Sequence, residues 1–133
     1  ALMLVKDIMI SGNRIPLINY NKDIISAVKI ISKKNLGIGI VVKKNNVIGI
    51  VTDGDIRRGA KNYSKKTKIT ALMSKKPLYV GEYNSAEKAL AIMNEKKITS
   101  LIVSSDSDYK KRKVVFRPKG IIHIHSLLKY GMR

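Results

Sequence analysis

The sequence predicts a mixed α/β (α+β) fold built from two similar β-α-β-β-α units that are related by pseudo-two-fold symmetry. An internal repeat is the first reason: residues 49–58 (Gly-Ile-Val-Thr-Asp-Gly-Asp-Ile-Arg-Arg) are echoed by residues 120–129 (Gly-Ile-Ile-His-Ile-His-Ser-Leu-Leu-Lys). The second reason is that helix-period and strand-like apolar runs follow the same order in both halves. The third is that 133 residues, 44% of them hydrophobic, suffice for a compact core.

The first unit is predicted to span residues 1–60. Pro16 opens a short strand, and Asp23 is the expected N-cap of a helix over residues 23–35. That helix is expected to be amphipathic because four apolar residues recur at helical spacing: Ile24, Ala27, Val28 and Ile31. Two β-rich runs follow at residues 38–42 and 47–52, and a tight hairpin turn at 44–46 joins them. A short helix is expected from Asp53 to Ala60.

The second unit is predicted to span residues 69–133, after a polar linker at residues 61–68. Ser85 is the expected cap of its helix, whose buried positions are Ala86, Ala89, Leu90 and Met93. Residues 98–103 open the second pair of strands. A sheet with helices on one face needs cover on the other, so the two units are expected to pack together around a ligand cleft.

The two repeats differ in length near the end of the chain. Ala27 matches Ala89 at an offset of 62, whereas Gly49 matches Gly120 at an offset of 71. Nine residues are therefore inserted between Val103 and Gly120. The segment at residues 104–119 is polar and basic, and a lengthened, mobile hairpin loop is expected there.

The net charge of +18 has two interpretations. It suits an anionic partner, such as a phosphorylated metabolite, a nucleic acid or an acidic membrane. It also follows from the codon usage of an AT-rich genome, because the cations are mostly scattered lysines rather than clustered arginines. Six tyrosines and one phenylalanine without ordered spacing do not form a base-stacking platform, so nucleic acid is not the expected partner.

Several classes of protein are excluded by composition. There is no cysteine, and no apolar run approaches the ~20 residues that span a bilayer, so a cytoplasmic protein without membrane contact is expected. The start at residues 1–5 is too short for a signal peptide, and the absence of an initial Met indicates a fragment or a processed chain. No nucleophile elbow, phosphate-binding Walker loop or dinucleotide fingerprint is present, so no catalytic residue is assigned.

The repeat resembles a known family. A unit that closes with Gly, two apolar residues, Thr and then Asp at a strand-to-helix turn, here residues 49–55, is typical of the CBS (cystathionine-β-synthase) domain, and two units in tandem resemble a CBS pair, or Bateman module. The order of the motifs at residues 5–9, 11–16, 34–37, 52–58, 98–100 and 123–128 is similar to the C-terminal CBS pair of the arabinose-5-phosphate isomerase family. Ile10 and Ser126 stand where that family commonly has His and Asp.

This resemblance implies a function for the whole protein. In that family an N-terminal sugar isomerase (SIS) domain interconverts ribulose 5-phosphate and arabinose 5-phosphate, a step toward the lipopolysaccharide and capsule sugar Kdo. The chain is then expected to be a regulatory CBS pair that requires no cofactor and binds AMP, ADP, ATP or CMP-Kdo. The SIS domain of the same polypeptide and a second CBS pair, in a homodimer, are its expected partners. A stand-alone nucleotide sensor, a basic nucleic-acid-binding domain and an enzyme with a histidine base remain alternatives.

Thr52 and Asp55 are the strongest candidate ligand residues. A hydroxyl at a helix start donates to phosphate or sugar oxygens, and a carboxylate three residues later accepts from ribose hydroxyls. The free N–H groups of the helix start favour an anion. The alternative is that Thr52 only caps the helix and Asp55 only suits its dipole.

The other candidates are weaker, and each has a structural alternative. Arg57 and Arg58 suit phosphate, or form a solvated helix face. Ile15 and Pro16 resemble the apolar edge beside the base that CBS pairs bind, or pack in a strand.

In the second unit His123 takes the place of Thr52, and His123 and His125, at i and i+2 on a predicted strand, are expected to share a face. Imidazoles there suit a sugar or a phosphate, or serve the structure alone. A metal site is the less favoured alternative because no third His and no Cys is present. Thr99 and Ser100 supply further hydroxyls, or only begin a strand.

Overall fold

The computed structural model describes residues 3–132 and confirms the predicted fold class, with two three-stranded sheets and α-helices in that range. Ala1, Leu2 and Arg133, the outer ends of the two predicted units, lie outside the described residues. The helices are α1 (Val5–Ile8), α2 (Ile24–Lys34), α3 (Asp53–Gly59), α4 (Ala86–Lys96), α5 (Asp106–Lys110) and α6 (Ile124–Lys129). The strands are β1 (Leu17–Asn19), β2 (Ile38–Lys43), β3 (Asn46–Thr52), β4 (Tyr79–Gly81), β5 (Ser100–Ser104) and β6 (Gly120–His123).

The chain forms two compact units that do not coincide with the two sequence repeats. Residues 14–77 form one, the central unit. Residues 3–13 and 78–132 form the other, the terminal unit. The sequence division at residues 60 and 69 follows the repeat, whereas the compact units follow the packing of the chain.

The central unit is a mixed sheet covered by α2. Its strand order is β1-β2-β3, with β1 parallel and β3 antiparallel to β2. Lys44 and Asn45 turn the predicted hairpin with positive φ values of 50° and 67°. The predicted cap of α2 is confirmed, because the Asp23 side chain accepts from the Ser26 N–H at 2.9 Å. The core joins α2 to all three strands and is made of Ile18, Ile24, Ala27, Ile31, Val41, Val51 and Ile69.

The terminal unit repeats this arrangement with strand order β4-β5-β6. The Ser85 hydroxyl accepts from the Lys88 N–H at 3.1 Å and begins α4, as predicted. Its core includes residues from the start of the chain: Val5, Ile8, Val80, Ala86, Ala89, Leu90, Met93, Leu101, Val103, Ile122 and Leu127.

Each unit is completed by a short segment that lies beside its third strand. In the central unit Ser74 exchanges two backbone hydrogen bonds with Ile50, at 2.8 and 3.0 Å. In the terminal unit Ile10 exchanges two with Ile121, at 2.8 and 2.9 Å. Residues 3–10 therefore complete the terminal unit in the same way as residues 67–74 complete the central unit.

The inserted segment at residues 104–119 is not the simple loop that its composition predicts. It contains α5, which begins because the Ser105 hydroxyl accepts from the Asp108 N–H at 3.1 Å. Lys110 pairs with Asp106 one turn earlier at 3.0 Å. Phe116 is 4% exposed and packs on the Tyr79 ring with centroids 4.2 Å apart. A cap and one aromatic anchor thus order a segment whose lysines indicated a loop.

Candidate functional site

The turn from β3 into α3 brings Thr52 and Asp55 together. The Thr52 Oγ1 accepts from the Asp55 N–H at 3.2 Å, and Asp55 Oδ2 accepts from the Thr52 N–H at 2.9 Å. This reciprocal pair is a capping box, which satisfies two N–H groups that the start of a helix leaves free. Both residues therefore have the structural role that the sequence offered as the alternative to ligand binding. An N-cap of this kind is worth about 1 kcal/mol.

Arg58 joins the same cluster. Its Nη2 donates to Asp55 Oδ1 at 2.6 Å, so both oxygens of Asp55 are engaged. The Arg58 side chain is 73% exposed, whereas that of Asp55 is 17% exposed. A ligand hydroxyl that approaches Asp55 must share this carboxylate with Arg58 or displace the guanidinium. Arg57 is exposed on the same helix.

A cavity of about 220 Å³ lies against this cluster within the central unit. Its walls come from α3 and from the chain that follows: Asp55, Arg58, Gly59, Asn62, Tyr63, Ala71 and Leu72. Sequence reasoning missed Asn62 and Tyr63, which lie in the predicted linker. Neither belongs to a periodic pattern or a motif, so only the fold reveals them.

Ile15 and Pro16 serve the sheet of the central unit. Both are buried, and the Pro16 carbonyl accepts from the Ile40 N–H at 2.8 Å beside β1. The strand-packing interpretation of Pro16 accounts for that contact.

His123 has in the terminal unit the role that Thr52 has in the central unit. It is the N-cap of α6, and its Nδ1 accepts from the His125 N–H at 3.1 Å. Nδ1 must be unprotonated to accept, so the ring proton lies on Nε2. Burial of the ring, together with the nearby His125, lowers the pKa of His123 below its usual value. His125 is exposed, on the first turn of α6 rather than on the strand, with its ring centroid 4.5 Å from that of His123.

Ser100 lies directly opposite His123 in the antiparallel ladder of β5 and β6. Its hydroxyl oxygen is buried and has no hydrogen-bond partner among residues 3–132. A buried hydroxyl without a partner costs about 1–3 kcal/mol, and such groups concentrate at sites of function or strain. Thr99 is exposed, and its carbonyl accepts from the Ile124 N–H at 2.8 Å.

The two units thus present different chemistry at equivalent positions. The pair Ile38 and Thr52 in the central ladder corresponds to Ser100 and His123 in the terminal ladder. The third residue after the cap is Asp55 in the central unit and Ser126 in the terminal unit. The terminal unit therefore has no carboxylate at that position to accept from a ligand hydroxyl.

Residues 3–132 contain no grouped metal ligands and no membrane-spanning helix. Within that range no three His, Cys, Asp or Glu side chains are grouped closely enough to hold a metal ion. The helices described there are all too short or too polar to cross a bilayer.

The CBS domain model matches residues 5–62 and 69–133, and the chain belongs to the CBS domain family. Among curated proteins it is similar to an uncharacterized protein of Rickettsia prowazekii, 36% identical over 129 residues that make up 96% of this chain. It is also similar to the arabinose 5-phosphate isomerases KdsD of Francisella tularensis and Escherichia coli K12, each 32% identical over 99% and 98% of this chain. The chain spans 38% of the length of each of these relatives.

Solved structures show the same fold. The CBS domain pair of protein MJ0100, in complex with 5′-methylthioadenosine and S-adenosyl-L-methionine, superposes with a TM-score of 0.82 at 23% identity over 98% of this chain and 97% of that one. CBSX2 in complex with AMP superposes with a TM-score of 0.78 at 20% identity, over 97% of this chain and 96% of that one.

Proposed function

We propose that this chain is the regulatory, ligand-binding CBS pair of an arabinose 5-phosphate isomerase, and that its ligand is an adenine nucleotide or CMP-Kdo. One observation carries the proposal: nearly all of the chain aligns with KdsD proteins, yet it spans only 38% of their length. The remaining length leaves room for a separate catalytic SIS domain. The named ligands of CBSX2 and MJ0100, AMP and adenosine derivatives, support a nucleotide as the ligand.

The cluster of Thr52, Asp55 and Arg58 suits such a ligand. A ribose hydroxyl donates to Asp55, and a phosphate accepts from Arg58, whose guanidinium is largely exposed. Binding then exchanges the ion pair between Asp55 and Arg58 for two contacts with the ligand. Because a ligand shifts an equilibrium only by its differential affinity, regulation requires that one arrangement of the whole protein favours this exchange.

The test is calorimetry of the chain with AMP, ADP, ATP, CMP and CMP-Kdo, supported by thermal shifts, since a ligand that binds only the folded state raises the melting temperature. Asp55→Asn is expected to weaken binding about tenfold or more, because a hydrogen bond to a charged acceptor is worth about 1.5–3 kcal/mol. Asp53→Asn is the matched control. It removes the same charge from the first turn of α3, but Asp53 is not one of the two residues that form the capping box. Absence of heat with all five ligands, or equal affinity in the parent and Asp55→Asn, would reject the ligand assignment.

The regulatory part of the proposal needs the full-length protein. The isolated chain is expected to show no isomerase activity, and full-length protein is expected to interconvert ribulose 5-phosphate and arabinose 5-phosphate at a rate that the bound ligand changes. Asp55→Asn in the full-length protein should keep the basal rate and lose the response. A rate that never responds to a ligand shown to bind would contradict a regulatory role.

A further inference from the structure

The inserted segment of the terminal unit carries an unusual concentration of positive charge. Between residues 110 and 119 it has six exposed cations and no acidic residue: Lys110, Lys111, Arg112, Lys113, Arg117 and Lys119. Of these six, only Lys110 has a carboxylate within 4 Å among the described residues. The equivalent hairpin of the central unit has two cations, Lys43 and Lys44. The concentration of positive charge is therefore a feature of the inserted segment and is not shared by the two repeats.

Two aliphatic side chains lie between these cations in the sequence. Val114 is 77% exposed and Val115 is 54% exposed. They follow the run at residues 110–113 and precede Arg117, so the apolar pair is flanked by cations on both sides. Lysines and arginines beside exposed apolar side chains are typical of surfaces that lie in the headgroup region of a membrane.

The inserted segment is anchored to Tyr79 of β4 by a ring contact and a hydrogen bond. Phe116 is buried against the Tyr79 ring, and the Tyr79 hydroxyl donates to the Lys113 carbonyl. The Lys113 N–H in turn donates to the Asp108 carbonyl at 3.0 Å. Val114 and Val115 therefore lie on a segment that is already ordered, so less conformational entropy is lost when a partner binds there.

We propose that residues 110–119 are a docking surface for an anionic lipid bilayer, with the cations at the headgroups and Val114 and Val115 in the interface. Opposite charge draws such a segment to acidic lipids, and the buried apolar area adds to the attraction. Nucleic acid fits less well, because the aromatic rings of this region are occupied. Phe116 is buried, and Tyr109 lies under the Lys88 ammonium and bonds to it at 2.6 Å, so neither offers a face for base stacking.

The test is co-sedimentation of the whole chain with phosphatidylcholine vesicles that either contain or lack phosphatidylglycerol, at about 0.1 M salt. Binding is expected only with phosphatidylglycerol. Lys111→Gln with Arg112→Gln is expected to weaken it about 30-fold, from the usual contribution of a cation near an acidic membrane. Lys43→Gln with Lys44→Gln removes the same charge from the equivalent hairpin and is expected to have little effect. Val114→Ser with Val115→Ser is expected to weaken binding about tenfold.

Three results would overturn the proposal, provided that circular dichroism shows each variant to be folded. One is no binding to phosphatidylglycerol vesicles. Another is equal loss from the two charge-removing double variants, which would show that only total charge matters. The last is tighter binding to a DNA duplex than to these vesicles at the same salt, unchanged by the valine substitutions, which would assign the surface to nucleic acid. The proposal does not depend on the nucleotide site.

Discussion

At the residue scale, His123 is expected to make the stability of the terminal unit depend on pH. Its Nδ1 accepts the capping hydrogen bond, and burial with the nearby His125 lowers its pKa below the usual 6.5. The unfolded chain therefore takes up the proton at a higher pH than the folded chain. As the pH falls below about 6.5 the free energy of unfolding should fall, and this loss should end once the pH is below the folded pKa.

Urea unfolding between about pH 5 and pH 8 measures this dependence. His123→Asn is the informative variant, because its side-chain oxygen keeps an N-cap acceptor without a titrating ring. It should flatten the pH dependence and retain the helix. His125→Gln leaves the capping ring in place and should keep most of the pH dependence. An unchanged slope in His123→Asn would contradict this role for His123.

Gly49 and Gly120 are the residues that let the completing segments approach their sheets. A Cβ on Gly49 would lie 2.8 Å from the Ser74 carbonyl oxygen, and one on Gly120 would lie 2.6 Å from that of Ile10. A backbone oxygen held in a β-bridge cannot move away from an added Cβ. Either Gly→Ala change should therefore lower the free energy of unfolding, measured by chemical denaturation, by about 1–3 kcal/mol. Gly54→Ala is the control, since its nearest contact is the flexible end of Arg58. Unaltered stability of both variants would show that the segments are not held tightly.

At the scale of elements, Phe116 is expected to fix the inserted segment. Phe116→Ala removes a buried ring from Tyr79 and should cost about 3 kcal/mol or more. It should also release the lysines and arginines at residues 110–119, so trypsin should cut there sooner. Val115→Ala is the matched control, because this neighbour is 54% exposed. Equal rates of cleavage in the two variants would mean that α5, rather than the aromatic contact, orders the segment.

The elements themselves were largely predictable from local signals. Asp23 and Ser85 are the N-caps of their helices, as their residue types predicted. The polar residues at 44–46 correctly predicted the hairpin turn. Helix α5 was missed because the lysines after it outweighed a single Ser105 cap in the sequence pattern. The residue type of His123 gave no capping signal, since histidine is not among the residues that usually cap helices, and only its equivalence to Thr52 in the repeat indicated this role.

At the scale of the molecule, the sequence revealed the repeat but not which repeat each completing segment joins. Residues 5–9 and 69–73 have similar patterns, so local reasoning kept each with the repeat that follows it along the chain. Packing groups residues 3–13 with residues 78–132, and residues 69–73 with residues 14–77. The same limit applied to the candidate site. The spacing of Thr52 and Asp55 predicted that the two lie within one helical turn, but Asn62 and Tyr63 reach the cavity only through the tertiary fold.

This grouping predicts where a core substitution acts. Val5 and Ile69 are equivalent in the repeat and fully buried, one in the terminal core and the other in the central core. Val5→Ala should therefore speed amide hydrogen exchange in β4, β5 and β6, whereas Ile69→Ala should speed it in β1, β2 and β3, because a cavity destabilises the cooperative unit that contains it. Mass spectrometry of peptides from the exchanged protein separates the two patterns. Faster exchange in β1–β3 after Val5→Ala would mean that the start of the chain supports the first repeat, and the physical units would then be those of the sequence.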